Sequence, residues 1–236
     1  MGGFANNAPI VTDGLVFYVD AGNGNSYPGS GTTWSDLVGN NNGTLTNGPT
    51  YDSGNGGSIV FDGTNDYTDF GNTLPIDGTS AGTVSIWAKT SASTSLLFTK
   101  YDTSGSNSTA FYIAVVSGAA RMFSGTQSNY RYYTTTATPI GSNNWANIVF
   151  TYDNFSTDLK CYIDGAAYST GQISNGTAPT SIVPQVSGIN WKTTSITTGS
   201  GTNYYQADIA NISAHNRALS ATEILQNYNA LKNRFI

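Results

Sequence analysis

Apolar and polar residues alternate with a period of two in short runs along nearly the whole chain, and each run is closed by Gly, Asn, Asp or Ser. That alternation places successive side chains on opposite faces of a half-buried strand, and the closing residues supply turns. The pattern predicts strands at residues 14–19, 58–61, 67–70, 83–89, 96–100, 110–116, 120–124, 130–136, 145–152, 159–163, 182–189 and 204–214. Asp164-Gly165, directly after Cys161-Tyr-Ile, predicts a two-residue hairpin, because a type I′ turn needs positive φ at both central positions. So many short strands separated by turn residues imply a sandwich or barrel.

Helical spacing occurs only at the end of the chain. Ser220-Ala-Thr-Glu223 reads as a capping box, with Leu219 and Ile224 at the staple positions. Ile224, Leu225, Tyr228 and Leu231 then form an apolar stripe, and Lys232 and Arg234 fall where the negative end of the helix dipole favours cations. The expected helix, 221–232, should lay its stripe on the sandwich or on a neighbouring subunit. No break in composition separates two halves, so a single domain at 13–236 is expected, preceded by an arm at 1–12.

Composition narrows the function. Nine Lys+Arg against fourteen Asp+Glu give a net charge of −5, and charged residues make up 10% of the chain. So few cations argue against binding nucleic-acid phosphates. No apolar run approaches the ~20 residues of a membrane-spanning helix, so no membrane insertion is expected. The start, Met1-Gly-Gly-Phe-Ala-Asn-Asn-Ala-Pro9, carries neither a basic nor an apolar leader segment, which predicts synthesis and folding in a cytoplasm. One cysteine, Cys161, permits no internal disulfide and shares a strand face with Leu159 and Ile163, as a core residue would.

Catalytic chemistry finds little material. Glu223 is the only glutamate and the cap accounts for it, so a Glu/Glu pair for retaining glycoside hydrolysis cannot be assembled. Asp62, Asp66 and Asp69 lie close in sequence, but aspartates at turn positions between two strands explain them without catalysis. The lone His215 precedes the helix cap with no nucleophile motif nearby, which suggests a surface or cap-supporting role. The pairs Gly22/Gly24 and Gly29/Gly31 do not open a helix after a strand, so they read as loop glycines and not as a phosphate cradle. No cofactor is expected. Hard oxygen ligands for a structural calcium are available at Asp62, Asn65 and Asp66, against the alternative of a bare Asx-turn network.

The 15 Tyr, 10 Phe and 4 Trp provide contact surface instead. Asn129-Tyr-Arg-Tyr-Tyr133 places Tyr130 and Tyr132 on one strand face and Arg131 and Tyr133 on the other. With Trp191, in the polar stretch Asn190-Trp-Lys-Thr-Thr194, the residues Tyr130, Arg131 and Tyr132 are the candidate ligand-binding set, aromatic faces serving as platforms for sugars. Cross-strand pairing or a subunit contact is the alternative role for each.

Several stretches resemble the laminin-G-like, concanavalin A-type lectin/glucanase family. The first part of the family is matched by Gly14-Leu-Val-Phe-Tyr-Val-Asp-Ala-Gly-Asn23, Trp34-Ser-Asp-Leu37 and Gly57-Ser-Ile-Val-Phe-Asp-Gly-Thr-Asn-Asp-Tyr67. Its middle is matched by Trp145-Ala-Asn-Ile-Val-Phe-Thr-Tyr-Asp153 and Cys161-Tyr-Ile-Asp-Gly165, and its end by Ile209-Ala-Asn-Ile-Ser-Ala-His-Asn-Arg-Ala-Leu-Ser-Ala-Thr-Glu-Ile224. The resemblance implies an all-β, two-sheet antiparallel jelly-roll sandwich of ~12–14 strands with one short C-terminal helix. It leaves function open, since the family includes lectins, adhesion modules, glucanases and virion proteins. The Glu-x-Asp-x-Glu strand of its glucanases is missing, and Ala210-Asn211 stands where many members carry Asp-Asp.

The Asn/Gly/Thr-rich loops and the ending Arg217-Ala-Leu-Ser-Ala-Thr-Glu-Ile-Leu-Gln-Asn-Tyr-Asn-Ala-Leu-Lys232 look like versions found in tailed-phage structural proteins. That resemblance implies a non-enzymatic virion protein, on the capsid exterior or tail, made in the host cytoplasm. A capsid decoration or cement role is the leading expectation: the major capsid protein or other virion proteins would be partners, a homo-oligomer is expected, and residues 2–11 and the helix would make the contacts. The alternative is a carbohydrate-binding attachment module, on a tail fibre or as a surface adhesin, recognising host glycans.

Overall fold

The computed structural model describes residues 8–73, 81–102, 109–126, 129–153, 158–175, 192–193, 195–198 and 201–236. The strand expected at 182–189 and the candidate Trp191 lie outside the described residues.

Two sheets face each other, as expected for a jelly-roll sandwich. The eight-stranded sheet runs Ala166–Tyr168, Leu159–Ile163, Trp145–Tyr152, Gly82–Lys89, Gln206–His215, Ser58–Asp62, Thr50–Asp52. Gln206–His215 is long enough to hold two partners on one side: its first half pairs with Ser58–Asp62 and its second with Leu15–Asp20. The register of Gln206–His215 against Gly82–Lys89 shifts between Ile209 and Asn211, so Ala210 is the extra residue of a bulge.

The eleven-stranded sheet runs Thr170–Asn175, Tyr130–Thr135, Ala119–Thr126, Thr109–Val116, Thr94–Asp102, Lys192–Thr193, Tyr67–Asp69, Gly43–Thr46, Thr33–Trp34. A hairpin of Ser195–Thr198 and Gly201–Tyr204 branches from Thr94–Asp102. The inner faces meet over one core, in which Phe17, Trp34, Phe61, Phe98, Phe111 and Phe150 are fully buried. Cys161 belongs to that core, where burial pushes its thiol pKa up and keeps it protonated. Asp164 (φ 53) and Gly165 (φ 77) make the expected positive-φ turn. A Cβ at position 165 would also lie 3.0 Å from both Leu225 and Tyr228, so the helix above needs the glycine too.

The helix, Ala221–Leu231, lies on the outer face of the eight-stranded sheet of its own chain, followed by a short 3-10 turn at Lys232–Arg234. Its capping box is formed: Ser220 Oγ accepts from Glu223 N at 3.3 Å and Glu223 Oε2 accepts from Ser220 N at 2.8 Å. Leu219 and Ile224 are buried with Val149 and Tyr162, which completes the staple. Of the expected stripe, Ile224, Tyr228 and Leu231 pack against the sheet, whereas Leu225 stays 45% exposed above the Asp164-Gly165 turn.

Further contacts tie the ends of the chain to this face. Val11 N donates to Asn227 Oδ1 at 2.7 Å and Gln226 Nε2 donates to the Pro9 carbonyl at 2.7 Å, so residues 9–11 of the expected arm lie along the helix. His215 is buried beneath this crossing, its Nε2–H donating to the Val11 carbonyl at 3.0 Å. It is therefore not a surface residue, because the arm covers it. Beyond the helix, Phe235 stacks on Trp87 at 4.2 Å between ring centroids, and Tyr228 stacks on Trp87 at 5.7 Å.

Candidate functional site

The outer face of the eleven-stranded sheet carries the side chains that alternate with the core set. Along Thr109–Val116, Phe111, Ile113 and Val115 point inward, which leaves Tyr112 on the outer face. By the same parity Met122 is core and Phe123 is outer, and Tyr133 is core while Tyr130 and Tyr132 are outer. Register then aligns the outer residues: Tyr112 sits opposite Phe123, and Phe123 opposite Tyr132.

The rings form a continuous stack. Tyr112 and Phe123 lie 4.8 Å apart and nearly parallel, at 3°. Phe123 meets Tyr130 at 5.6 Å, and Tyr130 meets Tyr132 at 6.1 Å and 18°. Arg121, on the same face of its strand, places its guanidinium 4.6 Å from the centre of the Tyr132 ring. That contact is a cation–π pair. Among the described residues no hydrogen-bond or ion-pair partner accompanies it, and its buried Nε is unpartnered. A half-buried row of stacked aromatic rings bordered by a guanidinium can bind a ligand with both apolar C–H groups and acceptor oxygens.

Of the sequence candidates, Tyr130 and Tyr132 are thus brought together. Arg131 points to the other side with Tyr133, and its Nε and Nη1 are buried without partners. It partly offsets the rise that burial causes in the Tyr133 pKa. Arg121 occupies the cationic position beside the stack. Tyr112, Phe123 and Arg121 were not among the sequence candidates. The alternation along 110–116 and 120–124 carried their parity, and the missing information was the register that lines them up with Tyr132.

Asp62, Asn65 and Asp66 come together in the turn between Ser58–Asp62 and Tyr67–Asp69, where they serve the backbone. Asp62 Oδ1 accepts from Thr64 N at 2.7 Å and Asp66 Oδ2 accepts from Asp62 N at 3.3 Å. The Asn65 carbonyl accepts from Asn47 Nδ2 at 2.9 Å. Burial raises the Asp66 pKa, the Asp62 N–H opposes that rise, and the Asp62 charge adds to it. This is the Asx-turn arrangement. Among the described residues no group of three or more His, Cys, Asp or Glu side chains is placed to hold a metal ion.

The two remaining places of interest are structural. Glu223 is held by Arg217 through two hydrogen bonds at 2.6 and 3.1 Å, which together with the Ser220 N–H brings its pKa down to about 2. Gly22, read from sequence as an ordinary loop glycine, is a close-approach site: a Cβ there would fall 1.8 Å from the Gly56 carbonyl and 2.3 Å from Arg234 Nη2.

Solved structures with the same architecture include a Trypanosoma rangeli sialidase mutant displaying trans-sialidase activity, at a TM-score of 0.63 and 13% identity over 97% of this chain and 34% of that one. The botulinum neurotoxin serotype D binding domain aligns at a TM-score of 0.63 and 12% identity, over 92% of this chain and 51% of that one. The serotype D ligand-binding domain in complex with N-acetylneuraminic acid aligns at 0.62 and 12%, over 92% and 50%. The chain therefore spans about a third of the sialidase and about half of the toxin domains, and at these identities the likeness is one of fold. A comparison with curated protein sequences gives no match. The profile of the Concanavalin A-like lectin/glucanases superfamily matches residues 62–225, from the Asx turn into the first turn of the capped helix, and the chain belongs to that family.

Proposed function

We propose that this chain is a non-catalytic binding module that takes a glycan on the outer face of its eleven-stranded sheet. The observation that carries the reading is the Tyr112–Phe123–Tyr130–Tyr132 stack with Arg121 at its border. Sugar C–H groups pack against the ring edges that the stack presents, and the guanidinium donates to hydroxyl or carboxylate oxygens beside them. The non-catalytic part of the proposal rests on where the carboxylates are: Glu223 is tied to the cap and Arg217, and Asp62 and Asp66 accept turn N–H groups. A neighbour of the same fold is named as a ligand-binding domain in complex with N-acetylneuraminic acid, which makes acidic glycans the first class to try at Arg121. The test is a glycan panel followed by titration: binding that falls with Tyr132→Ala and with Arg121→Ala supports the reading, and binding that neither change alters refutes it.

A second reading places the module on a virus particle, with the major capsid protein or another virion protein as partner. The observation favouring it is the composite surface made by residues 9–11 and the helix, on which Leu225 is exposed. Deletion of residues 1–12 would then abolish attachment to purified particles, whereas attachment at the wild-type level would exclude that surface.

A further inference from the structure

The ends of the two sheets are not alike. Three of them are short: Thr33–Trp34 has two residues, and Ala166–Tyr168 and Thr50–Asp52 have three each. The fourth, Thr170–Asn175, has six, pairs in regular register with Tyr130–Thr135 and has no second neighbour among the described residues. We propose that this edge pairs with the same edge of a second copy of the chain, with Ile173 on the two-fold axis.

The edge lacks the devices that keep sheet ends apart. A long open edge is ordinarily blunted by Lys, Pro or a bulge, and Thr-Gly-Gln-Ile-Ser-Asn carries none of these. No charged residue lies between Asp164 and Lys192 in the sequence, so two chains of net charge −5 meet here without setting like charges against each other on the paired strands. Arg131, on the neighbouring strand, points to the opposite face from Ile173. Ile173 itself lies beside Tyr132 on the outer face and is 46% exposed, so the uncharged edge carries an uncovered apolar side chain at its middle.

Backbone geometry fixes the register of the pair. Thr136 N donates to the Ser169 carbonyl at 3.1 Å, in step with the pairing of Thr135 and Thr170, so Ser169, Gly171, Ile173 and Asn175 turn their backbone groups toward the neighbouring strand. Thr170, Gln172 and Ser174 therefore turn theirs outward. An antiparallel pairing centred on Ile173 sets Gln172 against Ser174 of the second copy and Ser174 against Gln172 of the second copy, and each of these pairs exchanges both backbone hydrogen bonds. Ile173 then meets its own counterpart in the close, non-hydrogen-bonded position, which covers its exposed surface. Centring on Gln172 would instead place Ile173 over Gly171 and leave it without an apolar partner.

The pairing joins the outer faces of the two copies. Its two-fold axis stands perpendicular to the sheet, so both aromatic rows lie on the same side of one continuous sheet. Three strand spacings put the two Tyr132 residues ~14 Å apart. A ligand with repeated units would engage both rows at once. The pairing rests on the edge alone and stands whether or not the face takes a glycan.

Sedimentation of the whole chain at micromolar to millimolar concentration tests the pairing, with thermal unfolding as a folding control. Wild type should move from 24.8 kDa toward twice that mass as concentration rises. Ile173→Lys sets two ammonium groups against each other on the axis and should raise the dissociation constant about tenfold or more. Ile173→Glu should do the same, and an equimolar mixture of the two variants should associate again, because opposite charges then face each other. Gln172→Pro removes an outward N–H and spares the bonds to Tyr130–Thr135, so it should weaken association in a folded protein. A wild type that stays at 24.8 kDa overturns the pairing and leaves the edge to a strand from another protein. Association unchanged in Ile173→Lys and Gln172→Pro overturns it in favour of another surface, and a mixture of Ile173→Lys and Ile173→Glu that stays monomeric removes Ile173 from the axis.

Discussion

Asp20 and Arg234 form a two-pronged ion pair, Nη1 to Oδ2 at 2.8 Å and Nη2 to Oδ1 at 2.9 Å, which joins the last turn of the chain to the end of its first strand. The Asp20 carboxylate also accepts from Gly22 N and from the Tyr18 hydroxyl, each at 2.9 Å. The position of Arg234 in the sequence suits the helix dipole; its guanidinium instead reaches 214 positions back along the chain. Arg234→Ala leaves Asp20 buried with its remaining partners, so the expected cost is about 1–3 kcal/mol. Gly22→Ala should cost more, because a Cβ there meets the Gly56 carbonyl at 1.8 Å and the backbone must shift as well as Arg234, and the double variant should fall short of the sum because the Arg234 part is shared. Urea unfolding of the three variants checks this; additivity would show that the two positions act independently.

Phe235 covers Trp87 from outside the sheet, with Trp145 4.9 Å from Phe235 on its other flank. Phe235→Ala removes a stacked ring and leaves Trp87 open to water, for an expected loss of about 2–4 kcal/mol. Tryptophan emission should shift to the red in the folded variant. Unchanged emission and stability would mean that the C-terminal residues contribute no packing.

The Arg217–Glu223 contact sets an acid limb of stability. Because the Glu223 pKa is depressed to about 2, its contribution is present above the ordinary carboxylate range and is lost as pH falls through about 2. The pair is about 28% exposed on each side, so solvent screening keeps the effect modest. Arg217→Ala should be less stable than wild type at pH 7, with the gap closing as pH approaches 2. A gap of constant size would assign the effect to packing of the Arg217 side chain instead.

His215 works in the opposite range. Burial lowers its pKa, only partly countered by the Val11 carbonyl, and its Nδ1 is buried without a partner. The unfolded chain therefore binds the proton first, so stability is full above pH ~6.5 and declines as pH falls below it. His215→Gln, which can still donate to Val11, should flatten the fall in melting temperature between pH 7.5 and pH 5.5. Identical slopes in the two proteins would remove His215 from the account.

The sequence pattern located the paired strands best where alternation was strong and turns were marked. Trp145–Tyr152 and Leu159–Ile163 coincide with the expected ranges, and Asp164-Gly165 closes the second of them. Gly43–Thr46 and Thr170–Asn175 were not expected, because both are rich in Gly, Thr, Ser and Asn and lack a run of alternating apolar residues. Thr170–Asn175 lies at the sheet edge, where one neighbour suffices for pairing. The face of Tyr130 and Tyr132 was legible from local parity. That Tyr112 and Phe123 continue it depends on register between strands, which no local pattern records. The contact of Gly22 with Gly56 and Arg234 is likewise tertiary.

The central claim is that the aromatic stack is a glycan platform and not only a cross-strand stabiliser. Tyr132→Ala tests it most directly, because Tyr132 is half-buried and carries both the Tyr130 stack and the Arg121 contact. Titration of acidic oligosaccharides against wild type and this variant should show binding weakened on the order of tenfold or more, with melting temperature lowered by only a few degrees. Binding retained at the wild-type level in a folded Tyr132→Ala protein would contradict the account.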